Sequence, residues 1–475
     1  MTRGARSTRP AAWAFAAGLA TVAAGAWCPA GPSPWSRASA QEATPEAPEA
    51  APAPTPPDDE ALRDAAFDPA RLRARRKALL ARLPADAVVV VATGARGPDT
   101  FPFRPTPDFL YLSGQRDAGL SLLLAADLDV LFVPPRDLRW ELWNGPRIAP
   151  GPDAARATGF AEVVAWGERR ERVRRALEGK RPLYVAGVEP KDLGLDPAPT
   201  ARQAGPDIAH LRQVKDAHEL ALLERAVGVT CAALTEAIRS VEPGQREFEV
   251  QAVIEHVFLR YGAQRPGFSS IVGGGPRSCV LHYQANRGRL REGDLLVMDV
   301  GAELWGYTAD VTRTVPASGR FTARQRAVYE VVLRAQAAGI AAVRPGATLR
   351  DVDQAAREVI QGAGYGRAFP HGTCHWLGLD VHDVGAYERA LEPGMVLTVE
   401  PGVYLPDEGI GIRIEDDVVV TADGCRVLSG GVPRDPDALE ALLAERGLGN
   451  APVAPIPGDE PPPGGGRRYF RLAPR

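Results

Sequence analysis

Only five cysteines occur in 475 residues. Cys231, Cys279, Cys374 and Cys425 show none of the close pair spacings that hold structural zinc, and they are too few for a disulfide scaffold in a chain of this length. Most are expected to be small core fillers. Net charge is equally scarce at −3, so bulk electrostatics call for no nucleic-acid partner. The one dense basic run, Arg169–Arg175, lacks interleaved aromatics and reads as a solvated helix face. A full-length membrane span is also lacking. Ala11–Trp27 is nearly continuously apolar but falls short of the ~20 residues that a spanning helix needs.

That short run has the setting of a secretory signal. Arg3, Arg6 and Arg9 precede it, and Ala38-Ser39-Ala40 offers a small-residue cleavage site. Residues 1–40 are therefore read as a signal peptide, which implies export to the periplasm or the medium and no stable membrane span after cleavage. An uncleaved anchor helix is the alternative. Trp27 before Cys28 is too bulky for a lipid-attachment box. Residues 41–60, rich in Pro, Ala and acid, read as a disordered linker, and the Pro/Gly-rich residues 448–475 as a disordered tail.

At 45% apolar and 24% charged residues, the remainder is long enough for two soluble globular domains. In residues 61–205, helical periodicity over Ala65–Leu83, Asp153–Thr158 and Arg169–Gly179 alternates with strand-like Ala87–Val91, Leu120–Leu124 and Val130–Val133. That alternation predicts an α/β layer domain. Residues 206–447 carry a repeated grammar. A long helix over Gln213–Val241 stops at Pro243-Gly244 and is followed by Glu247–Tyr261; Ala323–Val343 stops at Pro345-Gly346 and is followed by Leu349–Gln361. Each pair precedes strand-like segments: Phe268–Val272, Leu295–Gly301 and Tyr307–Thr314, then Met395–Tyr404 and Ile410–Thr421. The pattern suggests two related halves with a pocket between them.

Chemistry-bearing residues fall on those later segments. Asp299 closes the apolar run Leu295–Met298, where an unpartnered carboxylate is costly. Asp310 follows beyond a turn near Leu304–Gly306. Either Asp alone could be a turn cap or an ion-pair partner. In Ile410–Asp416, Ile412 and Ile414 share one side of a strand, Arg413 and Glu415 the other, and the charged side faces either water or a polar cleft. Glu400 ends a strand before Pro401-Gly402 with the same ambivalence. Of seven histidines, His371, His375 and His382 lie within one short stretch, which argues against scattered core histidines. His371 and His375 have the spacing of a helical zinc-protease pair, but Gly372, Thr373 and Gly378 argue for loop or strand and the catalytic Glu of that motif is absent. If Asp299, Asp310, His375, Glu400 and Glu415 converge, four carboxylates would repel one another. Two divalent cations would remove the repulsion and point to metal-assisted hydrolysis. One imidazole among oxygens suits Mn2+ or Co2+ better than a thiolate-loving ion, and Zn2+ stays compatible.

The stretches FPHGTCHWLGLDVHDVG (Phe369–Gly385), MDVGAELWGYTADVTRT (Met298–Thr314), LTVEPGVY (Leu397–Tyr404) and GIRIEDD (Gly411–Asp417) together closely resemble aminopeptidase P, the Xaa-Pro aminopeptidase of the pita-bread metallopeptidases. PTPDFLYLSG (Pro105–Gly114) and RDLRWELWNG (Arg136–Gly145) are similar to that family's N-terminal domain. The resemblance implies an α+β fold: a pita-bread catalytic domain with pseudo-twofold halves after an α/β domain. It implies two metals on Asp299, Asp310, His375, Glu400 and Glu415, with Asp310 and Glu415 bridging, a hydroxide between the metals as nucleophile, and Glu400 also shuttling protons. His282, His371 and His382 would line the substrate site, Arg413 would orient the acidic network, Asp99 would reach in from the N-terminal domain, and Trp143 would be lent by a neighbouring subunit of a homo-oligomer. The substrates implied are peptides beginning Xaa-Pro. A prolidase-type dipeptidase would share all five ligands, although HWLGLDVHD favours the aminopeptidase. A metal-free binding module or a creatinase-like hydrolase would have lost ligands, and none is lost. A plain methionine aminopeptidase would not need the first domain.

Overall fold

The computed structural model describes residues 59–94 and 103–451. The signal peptide, nearly all of the linker and of the tail, and Asp99 lie outside the described residues. No described helix is long and apolar enough to cross a membrane.

Two helices read as continuous from periodicity are each divided by a cap. Ala65–Leu83 becomes Asp59–Ala66 and Pro69–Arg82. Pro69 has no N–H to continue the ladder, and the Asp68 carboxylate accepts from the amides of Ala70 and Arg71 at 2.9 and 3.2 Å. Gln213–Val241 becomes Gly205–Gln213 and Ala217–Ser240. Here Asp216 accepts from the His218 and Glu219 amides, while its own amide donates to Glu219 at 3.1 Å. Periodicity ran through both breaks because the apolar stripe stays in phase; the capping box alone marks the second one.

The first domain is built on a six-stranded mixed sheet in the order Glu162–Ala165, Leu128–Val133, Ser121–Ala125, Val88–Ala92, Leu183–Ala186, Ala201–Gln203. Both faces are covered at its centre, so the central strands are almost continuously apolar. Val89, Val91, Leu122 and Leu131 join the core beneath Leu79 and Phe109. Val88, Val90, Leu123 and Val130 pack with Val173 and Ala176 on the other face.

In the second domain the two Pro-Gly stops are equivalent. Gly244 (φ 98°) and Gly346 (φ 86°) take left-handed conformations open to glycine. Their amides donate to the carbonyls of Leu290 and Leu391, both at 2.9 Å. From each leucine the chain passes a second glycine turn, at Gly293 and Gly394, and enters a buried strand, Leu295–Val300 or Val396–Val399. Asp299 and Glu400 follow their leucines at the same spacing. Leu295–Val300 lies between Ile271–Gly274 and Val311–Pro316, and Val396–Val399 pairs with Asp416–Val420. The half-sheets are stitched together: the Glu415 amide donates to the Thr312 carbonyl at 3.1 Å, and Thr314 Oγ1 to the Arg413 carbonyl at 2.8 Å. Beneath this seam, fully buried Arg313 pairs with Asp416 at 2.8 Å.

The segments read as continuous strands are interrupted. Tyr307–Thr314 is Tyr307–Thr308 and Val311–Pro316; Met395–Tyr404 is Val396–Val399 and Gly402–Leu405; Ile410–Thr421 is Ile410–Arg413 and Asp416–Val420. Asp310, Glu400 and Glu415 occupy the three breaks. Leaving the ladder frees these side chains from strict up-down alternation and lets them turn toward one another.

Gly301 shows how tightly this region is packed. A Cβ there would lie 1.7 Å from the Ala309 carbonyl oxygen. Gly301→Ala must push apart the strand carrying Asp299 and the turn carrying Asp310, at a cost of about 3 kcal/mol or more. Thermal denaturation should show the loss even in metal-free protein; an unchanged melting temperature would contradict this packing.

Candidate metal centre and active site

Asp310, His375 and Glu415 each offer a ligand atom within 4.8 Å of the others, and all three are buried. His375 Nε2 also lies 3.4 Å from Asp310 Oδ2 and 3.3 Å from Glu400 Oε1. The other ring nitrogen, Nδ1, is 3.0 Å from the Trp376 carbonyl. A carbonyl can only accept, so Nδ1 carries the hydrogen and Nε2 turns a lone pair to the carboxylates, the tautomer a metal ligand needs. His375 is held in place by backbone pairing: its carbonyl accepts from the Thr398 amide at 3.0 Å, and Trp376 bridges Leu397. The segment is not helical, so the spacing of a helical zinc-protease pair does not apply.

The fifth residue, Asp299, sits opposite Thr312 in the sheet and meets the network through Arg413, whose Nη2 donates to Asp299 Oδ2 at 2.5 Å. Arg413 also donates to Thr312 Oγ1 at 3.2 Å and to the Tyr404 hydroxyl at 2.9 Å. Thr312 in turn donates to Glu415 at 2.6 Å. Ile412 and Ile414 are fully buried, and so nearly are Arg413 and Glu415. The charged side of that strand therefore faces a polar interior rather than water.

Such a cluster is electrostatically expensive as it stands. Burial, then Glu415, Asp299 and Glu400, hold the Asp310 carboxyl well above the usual range. Burial, then Glu400 and Asp299, do the same for Glu415. Burial pushes Glu400 up to about 8, against the opposing effect of Arg413. His375 is pushed down to about 4 by burial and by His382, so its imidazole is neutral at ordinary pH. Burial opposes the charge on Arg413, but Tyr404, Asp299, Glu415 and Glu400 hold it protonated. Asp299 Oδ1, Asp310 Oδ1 and Glu415 Oε1 are buried and receive no hydrogen bond from the protein. Unpaired hard oxygens, with the Asp310 and Glu415 carboxyls grouped beside one correctly oriented imidazole, fit divalent metal ions.

The remaining histidines differ in setting. His382 lies tilted against His375 with ring centroids 4.3 Å apart, and burial and neighbouring His282 lower its pKa. His282 is exposed in a loop. His371 Nε2 lies 2.9 Å from the Tyr404 hydroxyl, and burial with Arg413 pushes its pKa to about 4. Trp143 stands 80% exposed on the helix Leu138–Asn144 of the first domain. Sequence reasoning passed over Tyr404, Thr312 and Asp417. Tyr404 links His371 to Arg413; Asp417, fully buried, accepts the Asp310 amide at 3.0 Å. The run of three consecutive acids, Glu415-Asp416-Asp417, was the available signal, since a buried strand rarely carries three carboxylates without partners.

Residues 221–422 match the model of metallopeptidase family M24, and residues 72–184 that of the aminopeptidase P N-terminal domain. The chain is 35% identical over 426 residues to the Xaa-Pro aminopeptidase of Escherichia coli strain K12, covering 78% of this chain and 96% of that protein. The solved structure of proline aminopeptidase P II from Yersinia pestis superposes with a TM-score of 0.74 at 35% identity, covering 79% of this chain and 99% of the other. The Xaa-Pro dipeptidase of Pyrococcus furiosus is 39% identical, but over 226 residues, 47% of this chain and 64% of the relative. With both domains matched in order, and with a buried carboxylate–imidazole centre between the two halves of the second, the chain belongs to the aminopeptidase P family of M24 metallopeptidases.

Proposed function

We propose that the protein releases the N-terminal residue from peptides with proline in second position. The buried meeting of Asp310, His375 and Glu415 carries this reading, in a chain collinear with Xaa-Pro aminopeptidases over both domains. Asp299, Asp310, His375, Glu400 and Glu415 would hold two divalent ions, Mn2+ being favoured by the oxygen-rich donor set, with Co2+ or Zn2+ also compatible. When bound, the ions supply a water of lowered pKa and polarise the scissile carbonyl.

The chain's own groups do the rest. Proline's nitrogen leaves as a secondary amine and must gain a proton. Glu400, with Oε1 beside His375 and a carboxyl pushed toward neutrality, is suited to take a proton from the attacking water and deliver it to that nitrogen. Arg413 fixes Asp299 and Tyr404, and Tyr404 in turn orients neutral His371. His282, His371 and His382 would bound the substrate pocket, with Asp99 as a polar contact. The tertiary amide before proline has no N–H for strand-like backbone recognition, so shaped walls must do the selecting. Trp143, being exposed, is available to a neighbouring copy in a homo-oligomer. The basic start and apolar run of residues 1–40 support export.

His375→Ala is expected to weaken retention of one metal at least about tenfold, read by titration calorimetry and metal analysis. Two tightly held ions in that variant would remove His375 from the ligand set. Substrate choice is tested with paired peptides differing only by Pro or Ala at position two. Cleavage of the proline peptide after Mn2+ reloading supports the proposal; preference for the alanine peptide overturns it.

A further inference from the structure

The loop that carries His382 is held from the first domain by a chain of ion pairs. Between Trp376 and Asp383 the chain folds back on itself: the Asp383 amide donates to the Trp376 carbonyl at 2.9 Å, and the Gly378 amide to the Asp380 carbonyl at 3.1 Å. His382 sits at the end of this fold-back, 4.3 Å from the His375 ring. Its neighbour Asp383 is gripped by Arg212 and, at 3.2 Å, by Lys215; all three side chains are 3% exposed or less. Arg212 turns its other nitrogen to Asp108, at 2.7 Å, on the first-domain helix Pro107–Ser113. A second arm comes from Arg104. It reaches Asp380 at 3.1 Å and the Leu379 carbonyl on the loop, and Glu303 at 2.9 Å on the strand Ala302–Leu304.

Three cations, Arg104, Arg212 and Lys215, thus meet three carboxylates, Asp108, Asp380 and Asp383, around one loop. Buried ion pairs add little net stability compared with well-packed apolar groups, whereas their directional bonds can fix register. In this structure the register they fix is that of the His382 loop. Resting on the peptidase reading above, we propose that Asp108 and Arg104 of the first domain are positioning residues for the reaction. They act through Arg212, Asp380 and Asp383 to set His382 against His375. The first domain then takes part in the active site's alignment.

The test is a double-mutant cycle on metal-loaded full-length protein, with kcat and KM measured on a tripeptide beginning Xaa-Pro. Asp108→Asn is made alone and in a His382→Ala background. Alone it should lower kcat/KM about tenfold with metal content unchanged; in the His382→Ala background its effect should shrink to less than twofold. Equal losses in both backgrounds, or no loss in either, overturn the proposal. Should Asp108→Asn misfold, Arg104→Gln, at a partly exposed site, is put through the same cycle with the same criteria. Wild-type protein that leaves the tripeptide intact would indict the peptidase reading instead, and is scored before any variant.

Discussion

Glu400→Gln should reduce kcat by at least about 10³-fold while the protein still folds, because it removes a metal ligand's charge and the proton carrier in one isosteric change. The prediction follows from position. Glu400 leaves its strand at the break before Pro401, its amide anchored to the Thr373 carbonyl at 2.7 Å, and its Oε1 lies 3.3 Å from His375. Gln keeps the volume and one carbonyl-type oxygen but cannot carry a proton between water and amine. Steady-state kinetics with metal analysis separates the two losses. A variant with full metal content and undiminished kcat would remove Glu400 from the proton path. A variant that loses both metal and activity, and stays inactive when saturated with Mn2+, still agrees with it.

Metal-free protein should become less stable as pH rises from about 6.5 to 8, and metal should abolish that trend. The sign follows from the direction of the shifts. Asp310, Glu400 and Glu415 all have carboxyls held above their ordinary values by burial and by one another. A carboxyl raised in the folded state binds its proton more tightly there than in the unfolded chain. The associated stability is fully present below the unfolded pKa and is lost as pH climbs toward the folded one. For Glu400, pushed from 4.5 to about 8, the full effect is on the order of 5 kcal/mol, at ~1.4 kcal/mol per pH unit. Groups with lowered pKa work in the opposite sense but below this window: the paired carboxylates Asp383 and Asp416 at acid pH, and His371 and His375, lowered from 6.5 to about 4, up to pH 6.5. Bound cations would replace those protons, so loading should release protons and strengthen with pH. Thermal melts of chelator-treated and reloaded protein across about pH 6.5–8 measure both effects. A metal-free melting temperature that rises through this window would contradict the assigned electrostatics.

Much of this centre was legible from residue types. Four carboxylates and an imidazole at strand ends ask for cations wherever they meet, and the two Pro-Gly stops announced the duplicated helix pairs. Pro401-Gly402 marked the strand end at Glu400, and the structure breaks there. The other two breaks were not legible. Ala309-Asp310 and Ile414-Glu415 sit inside otherwise strand-like runs, and local pattern cannot show that the ladder is left there with a side chain turned inward. The divided helices failed for a related reason, since an apolar stripe can stay in phase across a cap. Partners brought in from distant sequence were the hardest to see. Tyr404 looks like an ordinary strand aromatic until His371 and Arg413 are found on its hydroxyl. Asp108 and Arg212 look like surface charges until Asp383 closes the chain between them.

The central claim is that a carboxylate–imidazole metal centre in this chain cleaves the bond before proline at the head of a longer peptide. The most direct test compares an Xaa-Pro tripeptide with the matching Xaa-Pro dipeptide, using purified protein stripped of metal and then reloaded with Mn2+. Release of the first residue from the tripeptide, absent before reloading and restored after it, is the predicted result. Cleavage confined to the dipeptide, or tripeptide cleavage that survives complete removal of metal, would contradict the account.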